Sequence, residues 1–281
     1  MRNIIKADLY RIFRSKGVYI TLLIFIATAI LQVTSNGEAA IGVFAGAPLE
    51  VPYEETASAP NLGEGNMMRI ITGKSAPFII ATYTDNLIFF LLPFIVFISA
   101  ADFKNGTVKN LLSSGTNRVK YYFAKLIMIT GASIFLILLN LFVTIITATI
   151  KNGFKGSFNI AWLSQIAEIY LPQLYLLFVF GCIGVFFIFI FKNTAALNTI
   201  YIAYSFLPVI IISILLSFSE KFEFLPEYDL VLNMKSFAYS SEMDIVNFMA
   251  PNLTRTLILG GVYIIACTIG GIALFRKSEV K

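Results

Sequence analysis

The stretch LYLLFVFGCIGVFFIFIF occupies residues 174–191 and contains no charged side chain. It belongs to a longer apolar segment, 166–191, which exceeds the roughly 20 residues that a helix needs to cross about 30 Å of hydrocarbon. In lipid, a backbone polar group without a partner costs several kcal/mol, and a helix satisfies these groups within one segment. The strand-like alternation that is typical of membrane β-barrels is absent from the sequence. The stretch therefore predicts a transmembrane helix.

The pattern of this stretch is repeated along the rest of the chain. Of the 281 residues, 58% are hydrophobic and 13% are charged. Soluble domains carry about 25% charged residues, so a water-facing globule of this size is not expected. The sequence instead predicts a single all-α polytopic membrane domain. Its six transmembrane helices are expected at 17–34, 78–101, 123–150, 166–191, 195–217 and 253–275.

Lysine and arginine are distributed unevenly between the two predicted sides of the membrane. One side holds about twice as many of the 21 basic residues as the other, and they lie on short segments near the ends of spans. Positive charge in such positions marks the cytoplasmic side. We therefore expect both termini and the loop 101–122 in the cytoplasm, and the segments 35–77 and 218–252 outside the cell. The cytoplasmic set is Arg2, Lys6, Arg11, Arg14, Lys16, Lys104, Lys109, Arg118, Lys120, Lys125, Lys192, Arg276, Lys277 and Lys281.

Several kinds of function are disfavoured by the composition. The chain has no histidine, and its two cysteines, Cys182 and Cys267, lie inside apolar stretches. This pattern gives no metal-ligand spacing and no disulfide framework. The net charge of +5 is accounted for by cytoplasmic loops, and no basic stretch is dense enough to predict nucleic-acid binding. An intramembrane enzyme would need paired His, Asp or Ser residues at helical spacing, so we expect no catalytic residue and no bound metal.

The first sixteen residues, 1–16, form a basic amphipathic segment before the first span. Apolar residues recur at helical spacing and basic residues lie away from them, which favours a helix in the membrane interface. A second interpretation, that this helix also packs against a cytoplasmic partner, stays open. The apolar residues are Ile5, Leu9, Ile12 and Phe13, and the basic residues are Arg2, Lys6 and Arg14.

The loop 101–122 between the second and third spans is also helix-prone. Val108, Leu111 and Leu112 are spaced i, i+3 and i+4, which gives a helix one apolar stripe. Gly115 is a favourable residue for ending that helix. We expect the stripe to have no place within its own chain. It then lies on the membrane or enters a groove on another protein, and the spacing alone leaves both open.

The same loop resembles that of ATP-binding-cassette (ABC) type-2 permeases. That family shows an acid, a Gly-Thr pair, leucines four or five residues later, an arginine, and a lysine at the third span. The chain departs from the pattern in having Asp102 instead of Glu, and Gly115 where Pro is usual. The layout of the whole chain, with an N-terminal helix and six spans, is similar as well. The matching residues are Asp102, Gly106, Thr107, Leu111, Leu112, Arg118 and Lys125.

The resemblance implies a permease subunit in a bacterial plasma membrane, paired with a separate cytoplasmic ATPase. No phosphate-binding loop motif occurs in the sequence, so ATP and Mg would be bound by that partner. The loop would be a coupling helix seated in a cleft of the ATPase, and the permease would form a homodimer or a heterodimer with a second permease. The coupling residues would be Asp102, Gly106, Thr107, Val108, Leu111, Leu112 and Arg118.

The expected cargo is hydrophobic or amphipathic, with peptide export ranked first. Bacteriocin immunity, or efflux of a peptide toxin or antibiotic that confers antimicrobial resistance, are the roles that the resemblance implies. The alternative is a membrane transporter not driven by ATP, or an integral membrane sensor subunit. The sequence contains no internal repeat of the kind found in many secondary transporters, which counts against a transporter not driven by ATP.

Polar residues inside the spans are candidates for a transport pathway. They are Asp85, Asn86 and Asn140, because buried acids and amides in lipid usually face a protein interior or water. For Asp85, a position at a helix end near the headgroups stays open. Pro93, Pro172 and Pro208 each fall within a predicted span, where we expect a kink, and a gating hinge is the lesser alternative.

Two further expectations concern packing and the outer segments. The glycines of the fourth and sixth spans are expected to permit close helix packing. The segment 35–76 is polar enough to be solvated, and 218–252 is expected to form short helices on or in the outer leaflet. The glycines are Gly181, Gly184, Gly260, Gly261, Gly270 and Gly271.

Overall fold

The fold of the chain consists of helices throughout the part that the structure, a computed structural model, describes. That part comprises residues 2–35, 71–238 except 105, 114 and 116, and 252–277, and it contains no strand. In chain order the helices are α1 (Arg2–Arg14), α2 (Lys16–Thr34), α3 (Ala76–Ile80), α4 (Leu87–Ile95), α5 (Ala101–Lys104), α6 (Thr107–Ser113), α7 (Arg118–Asn152), α8 (Ile160–Phe191), α9 (Thr194–Phe218), α10 (Leu230–Ser236) and α11 (Leu253–Lys277).

Six helical stretches are long and apolar enough to cross a membrane, which confirms the six predicted spans and a helical membrane protein. The third and fourth spans begin earlier than the hydrophobic pattern indicates. The reason is capping by side chains that precede the apolar residues. Asn117 accepts a hydrogen bond from the Val119 N–H at 2.8 Å, and Asn159 accepts one from the Trp162 N–H at 2.8 Å. A capped helix start is fixed by these bonds and not by where the hydrocarbon begins.

The second span, Ala76–Phe103, is not one regular helix. A 3₁₀ segment, Ala81–Asn86, separates α3 from α4, and a π-helical turn, Val96–Ala100, separates α4 from α5. Breaks of this kind change which backbone groups are bonded within the helix, and they are common near functional sites. The second span therefore has two places at which its backbone departs from α-helical geometry.

All three of these prolines lie within helices, and the kinks expected at them stay a prediction. Pro172 lies inside α8 and Pro208 lies inside α9, and both helices continue through the proline. Pro93 lies inside α4, one turn before the π-helical turn. A proline removes one N–H donor, but the neighbouring helices support the remaining bonds of a packed span.

The α8 helix lies at the centre of the packing, and its glycines permit close approach as expected. A Cβ atom on Gly181 would lie 2.2 Å from Ile129 Cγ2, and one on Gly184 would lie 2.5 Å from Ile95 Cδ1. In the sixth span, a Cβ atom on Gly271 would lie 2.5 Å from the Tyr122 hydroxyl. These distances are far below van der Waals contact, so a larger residue at these positions would force the facing side chains to move.

The segment after α9 forms short helical turns, as expected, at Glu220–Phe222, Leu225–Tyr228 and α10. The expected location of α10 in the outer leaflet stays a prediction. Leu230, Val231 and Met234 are buried inside the protein, because α10 packs against the 3₁₀ segment of the second span. The remaining part of this segment, 239–251, and residues 36–70 of the first outer segment lie outside the described residues.

Side-chain contacts place both terminal helices at one end of the bundle. Asp8 of α1 contacts Lys125 near the start of α7, and Arg118 at the start of α7 contacts the end of α11. We call this the basic end: α1, α5, α6, the first two turns of α7 and the last turn of α11. The opposite end holds α3, the 3₁₀ segment, the turn at 153–159 and α10, and we call it the distal end.

Candidate functional site

Four charged side chains meet at the basic end and form a buried charge cluster: Asp8, Arg11, Asp102 and Lys125. The Lys125 ammonium lies 2.9 and 2.7 Å from the two oxygens of Asp8 and 2.5 Å from Asp102 Oδ2. Arg11 donates to Asp102 and, at 2.7 Å, to Asp8. The cluster thereby joins α1, the end of the second span and the start of the third.

Two neutral groups add hydrogen bonds to the cluster. The Tyr121 hydroxyl donates to Asp102 Oδ2 at 2.6 Å. The carbonyl of Ile98, in the π-helical turn, accepts from Lys125 at 2.8 Å and from Arg11 at 3.1 Å. The irregular backbone of the second span thus supplies an acceptor for both cations.

The charges of the cluster balance, with two carboxylates against two cations. Lys125 has 0% of its side chain exposed and Asp102 has 3% exposed. Burial raises the pKa of Asp8 above its ordinary value, against the attraction of the Lys125 ammonium. Buried charges of this kind are costly unless each has a partner, so removal of one member leaves another uncompensated.

The α6 helix lies beside this cluster, between two glycines in the left-handed region. Gly106 has φ of +66° and Gly115 has φ of +84°, conformations that L side chains adopt only with strain. The expected end of the helix at Gly115 is confirmed, since α6 ends at Ser113. The two glycines set the boundaries of a helix of two turns.

The apolar stripe of α6 has a place within its own chain, so the expectation that it has none is wrong. Val108 is only 1% exposed, and Leu111 is partly buried against the hydrophobic core. The reason is that α6 packs against α5, at the end of the second span, and Val108 belongs to the hydrophobic core. The exposed residues in and around α6 are Gly106, Ser113 and Gly115. The side chain of Leu112 lies outside the described residues.

Arg118 holds the end of the last helix. Its guanidinium donates to the carbonyl oxygens of Phe275 at 2.6 Å and of Arg276 at 2.9 Å, and it lies 5.5 Å from the centre of the Phe275 ring. The last carbonyls of a helix have no partner within the helix, and a cation there also offsets the negative end of the helix dipole. Arg118 therefore fastens α11 to α7.

The expected coupling residues thus occupy three different settings. Asp102 belongs to the charge cluster, and Arg118 bonds to α11. Gly106 and Thr107 form the start of α6, with Gly106 exposed and Thr107 partly buried, while Val108 and Leu111 face the core.

The expected pathway residues do not form one group in this structure. Asp85 and Asn86 lie in the 3₁₀ segment at the distal end, where Asp85 is buried and forms an ion pair with Lys235 at 3.2 Å. Asn140 is buried in α7, and its backbone carbonyl accepts a hydrogen bond from the Thr144 hydroxyl.

Sequence reasoning missed three members of the cluster and its surroundings: Asp8, Arg11 and Tyr121. One signal was present, because Asp8 is the only acid in the first sixteen residues and Arg11 follows it by one helical turn. An acid within an otherwise basic segment indicates a specific partner. The partner, Lys125, is 117 residues away along the chain, which the sequence does not reveal.

The described residues hold no group of histidine, cysteine, aspartate or glutamate side chains that fits a metal ion. At the basic end, ion pairs among four charged side chains join α1, α5 and α7 next to α6. No protein-family model and no curated protein matches this sequence.

Proposed function

We propose that this chain is the permease subunit of an ATP-driven exporter of the ABC type-2 kind, and that it works with a separate ATPase subunit. The observation that carries the proposal is the position of the buried charge cluster. It joins α1 to the end of the second span and the start of the third, and its member Asp102 lies on α5, which packs against α6. A partner that moves α6 would move both spans together.

The cluster makes this connection stiff. Asp102 lies on α5, directly before α6, and its bonds to Arg11 and Lys125 join α5 to α1 and α7. Breaking one buried ion pair by removing a partner costs about 3–5 kcal/mol, so these segments are expected to move as one body. A force on α6 is then transmitted to the spans instead of bending the loop.

The ATPase would contact the exposed side of α6 and not the Val108–Leu111 stripe. Gly106, Ser113 and Gly115 are exposed on that side. The positive charge of the basic end would complement acidic residues around the binding surface of the partner. ATP and Mg would bind to the ATPase alone. ATP must favour one arrangement of the spans over the other, because a ligand that binds both equally shifts nothing.

The proposal places the basic end in the cytoplasm of a bacterial cell and makes the cargo hydrophobic or amphipathic, with a peptide as the first choice. Self-immunity to a bacteriocin or efflux of a peptide toxin or antibiotic fits such a cargo. The apolar outer faces of α9 and α11 suit either lipid or a second permease, and exposed examples are Ile211, Ile214, Val262, Ile265 and Ile269. A permease dimer, homomeric or heteromeric, would use part of this surface.

The test is the variant Ser113→Arg, which places a bulky charge on the exposed side of α6. We expect at least a tenfold loss of ATPase subunit recovered with the affinity-purified permease, because an interface centre tolerates such a group poorly. The ATPase to be tested is a soluble one with a phosphate-binding loop, to be sought among the products of adjacent genes. Its stimulation by the permease in liposomes should fall in parallel.

The matched control is Ser157→Arg, an equally exposed serine in the distal turn at 153–159. It should leave ATPase recovery unchanged. Equal recovery with the wild type and with Ser113→Arg would count against the coupling role of α6. Transport that persists without any ATPase would instead favour the alternative, a transporter not driven by ATP or a sensor subunit.

A further inference from the structure

Asp85 lies at the distal end, in a setting unlike that of the other buried acids. It belongs to the 3₁₀ segment that breaks the second span, and it is only 3% exposed. Its ion-pair partner Lys235 comes from α10, which is not part of a span. The Lys235 ammonium lies 3.2 Å from Asp85 Oδ2, while 25% of the lysine side chain is exposed. A lysine thus reaches from the surface of the protein to a buried carboxylate.

Gln173 of α8 joins the two elements that carry this ion pair. Its amide nitrogen donates to the carbonyl oxygens of Ala81, at 3.1 Å, and of Met234, at 3.2 Å. These carbonyls belong to the 3₁₀ segment and to the residue before Lys235. The carboxylate, the ammonium and the amide therefore lie within one small region.

This region holds more hydrogen-bond acceptors than its donors satisfy. Gln173 Oε1 is fully buried and has no hydrogen-bond partner within the described part of the chain. A buried polar atom left without a partner costs about 1–3 kcal/mol, so this atom calls for an explanation. A primary ammonium group carries three N–H donors and no acceptor, which complements a carboxylate and a spare neutral acceptor in the same region.

An open groove of about 680 Å³ adjoins this region, between α8, the residue after α10 and the start of α11. Pro172, next to Gln173, and Phe237, next to α10, both line it. The groove also presents the Glu168 carboxylate, and its apolar part is formed by Leu171, Tyr175, Leu253 and Leu257. A cationic molecule with an apolar body would find both kinds of surface here.

We propose that Asp85 is the binding site for a primary ammonium group of the transported molecule, and that Lys235 occupies this site when the molecule is absent. This inference rests on the proposed export function. It names the substrate class as an amphipathic cation, such as a peptide with a lysine side chain or a free amino terminus. Displacement of Lys235 would remove one of the contacts that hold α10 against the second span.

The experiment uses the purified full-length chain and the variant Lys235→Ala, which empties the site. The probe is n-butylammonium chloride at on the order of 50 mM, and the readout is the unfolding temperature followed by protein fluorescence. We expect Lys235→Ala to lower the unfolding temperature, and butylammonium to recover at least half of the loss. The wild type should shift much less, because its own lysine fills the site.

Three controls make the result specific. Tetramethylammonium chloride at equal concentration has no N–H donor and should not rescue Lys235→Ala. Lys151→Ala removes another distal lysine, whose ammonium donates to the Thr34 carbonyl at 2.7 Å, and it should show no rescue. The double variant Asp85→Asn, Lys235→Ala should also show none. If Lys235→Ala does not fold, Lys235→Gln replaces it, since it keeps most of the side chain.

Absence of an amine-specific rescue, or an equal rescue in the double variant, would overturn the ammonium site. The measurement needs no ATPase, so its outcome is independent of the proposed function. A rescue in a chain that binds no ATPase would keep the site and reject only its role in export.

Discussion

Lys125 shows how a single residue organises the basic end. A lysine inside an apolar span is costly, and its burial is explained by contacts of its ammonium group with two carboxylates and a backbone carbonyl. Asp8 and Asp102 come from segments far apart in the sequence, so the lysine joins α1 to the second span. A buried ion pair adds little to the free energy of unfolding compared with an apolar pair of similar size. The main effect of Lys125 is therefore to fix the positions of the helices relative to one another.

The variant Lys125→Met tests this role at the residue scale. It leaves Asp8 and Asp102 with one cation between them, so we expect a loss of about 3–5 kcal/mol in the free energy of unfolding. The double variant Asp8→Asn, Lys125→Met restores charge balance with the Arg11–Asp102 pair, and it should recover a large part of that loss. Unfolding in mixed detergent micelles provides the measurement.

A double variant as unstable as Lys125→Met alone would show that the lysine acts through packing and not through charge. As a control, Asp8→Asn alone should be less damaging than Lys125→Met, because it leaves one excess cation and Arg11 is partly exposed to water.

At the scale of elements, the ends of helices carry most of the specific polar contacts. Asn117 and Asn159 start two spans, and Arg118 satisfies the last carbonyls of a third. Gly106 and Gly115 limit α6 to a short helix. Since spans are held in lipid mainly by packing, these terminal bonds determine where each helix begins and which helices are joined.

The variant Arg118→Gln tests the junction between α7 and α11. We expect the last turn of α11 to open more readily, by about 1 kcal/mol, because two carbonyls lose a charged donor and the helix dipole loses its cation. Amide hydrogen exchange of residues 270–277 measures this opening. Lys120→Gln is the matched control, since Lys120 is a nearby exposed cation of α7. Faster exchange in both variants alike would mean that only net charge matters.

At the scale of the whole molecule, the two ends of the bundle differ in composition and in contacts. The basic end gathers both terminal helices, α6 and the charge cluster, while the distal end gathers the 3₁₀ segment and α10. Apolar side chains that are exposed on α9 and α11 cover the surface between the ends. The two ends of the bundle therefore present different chemical groups, and they are the surfaces on which the proposed function can be tested.

Labelling of single cysteines tests the orientation. Ser113→Cys and Ser157→Cys each provide one exposed thiol, after the buried Cys182 and Cys267 are replaced by alanine. In intact bacteria, a membrane-impermeant maleimide should label Ser157→Cys at once and Ser113→Cys only after the cells are permeabilised. The reverse pattern would place α6 outside the cell, and the proposed coupling to an ATPase would then fail.

The six spans and the end of α6 at Gly115 could be predicted, because hydrophobicity and glycine conformation are properties of neighbouring residues. The sequence alone therefore determined that this is a helical membrane protein with six spans and a short helix between the second and third. The start of α7 at Asn117 and the buried position of α10 were not predicted, since capping and tertiary packing outweighed hydropathy there.

Only the tertiary structure decided which residues meet. It turned Val108 and Leu111 inward, paired Asp8 with Lys125, and placed Lys235 against Asp85. None of these contacts follows from local spacing, because each depends on how separate helices pack. The physical reason is that hydrophobic transfer acts on each segment by itself, whereas a buried charge is stable only where another part of the chain supplies its partner.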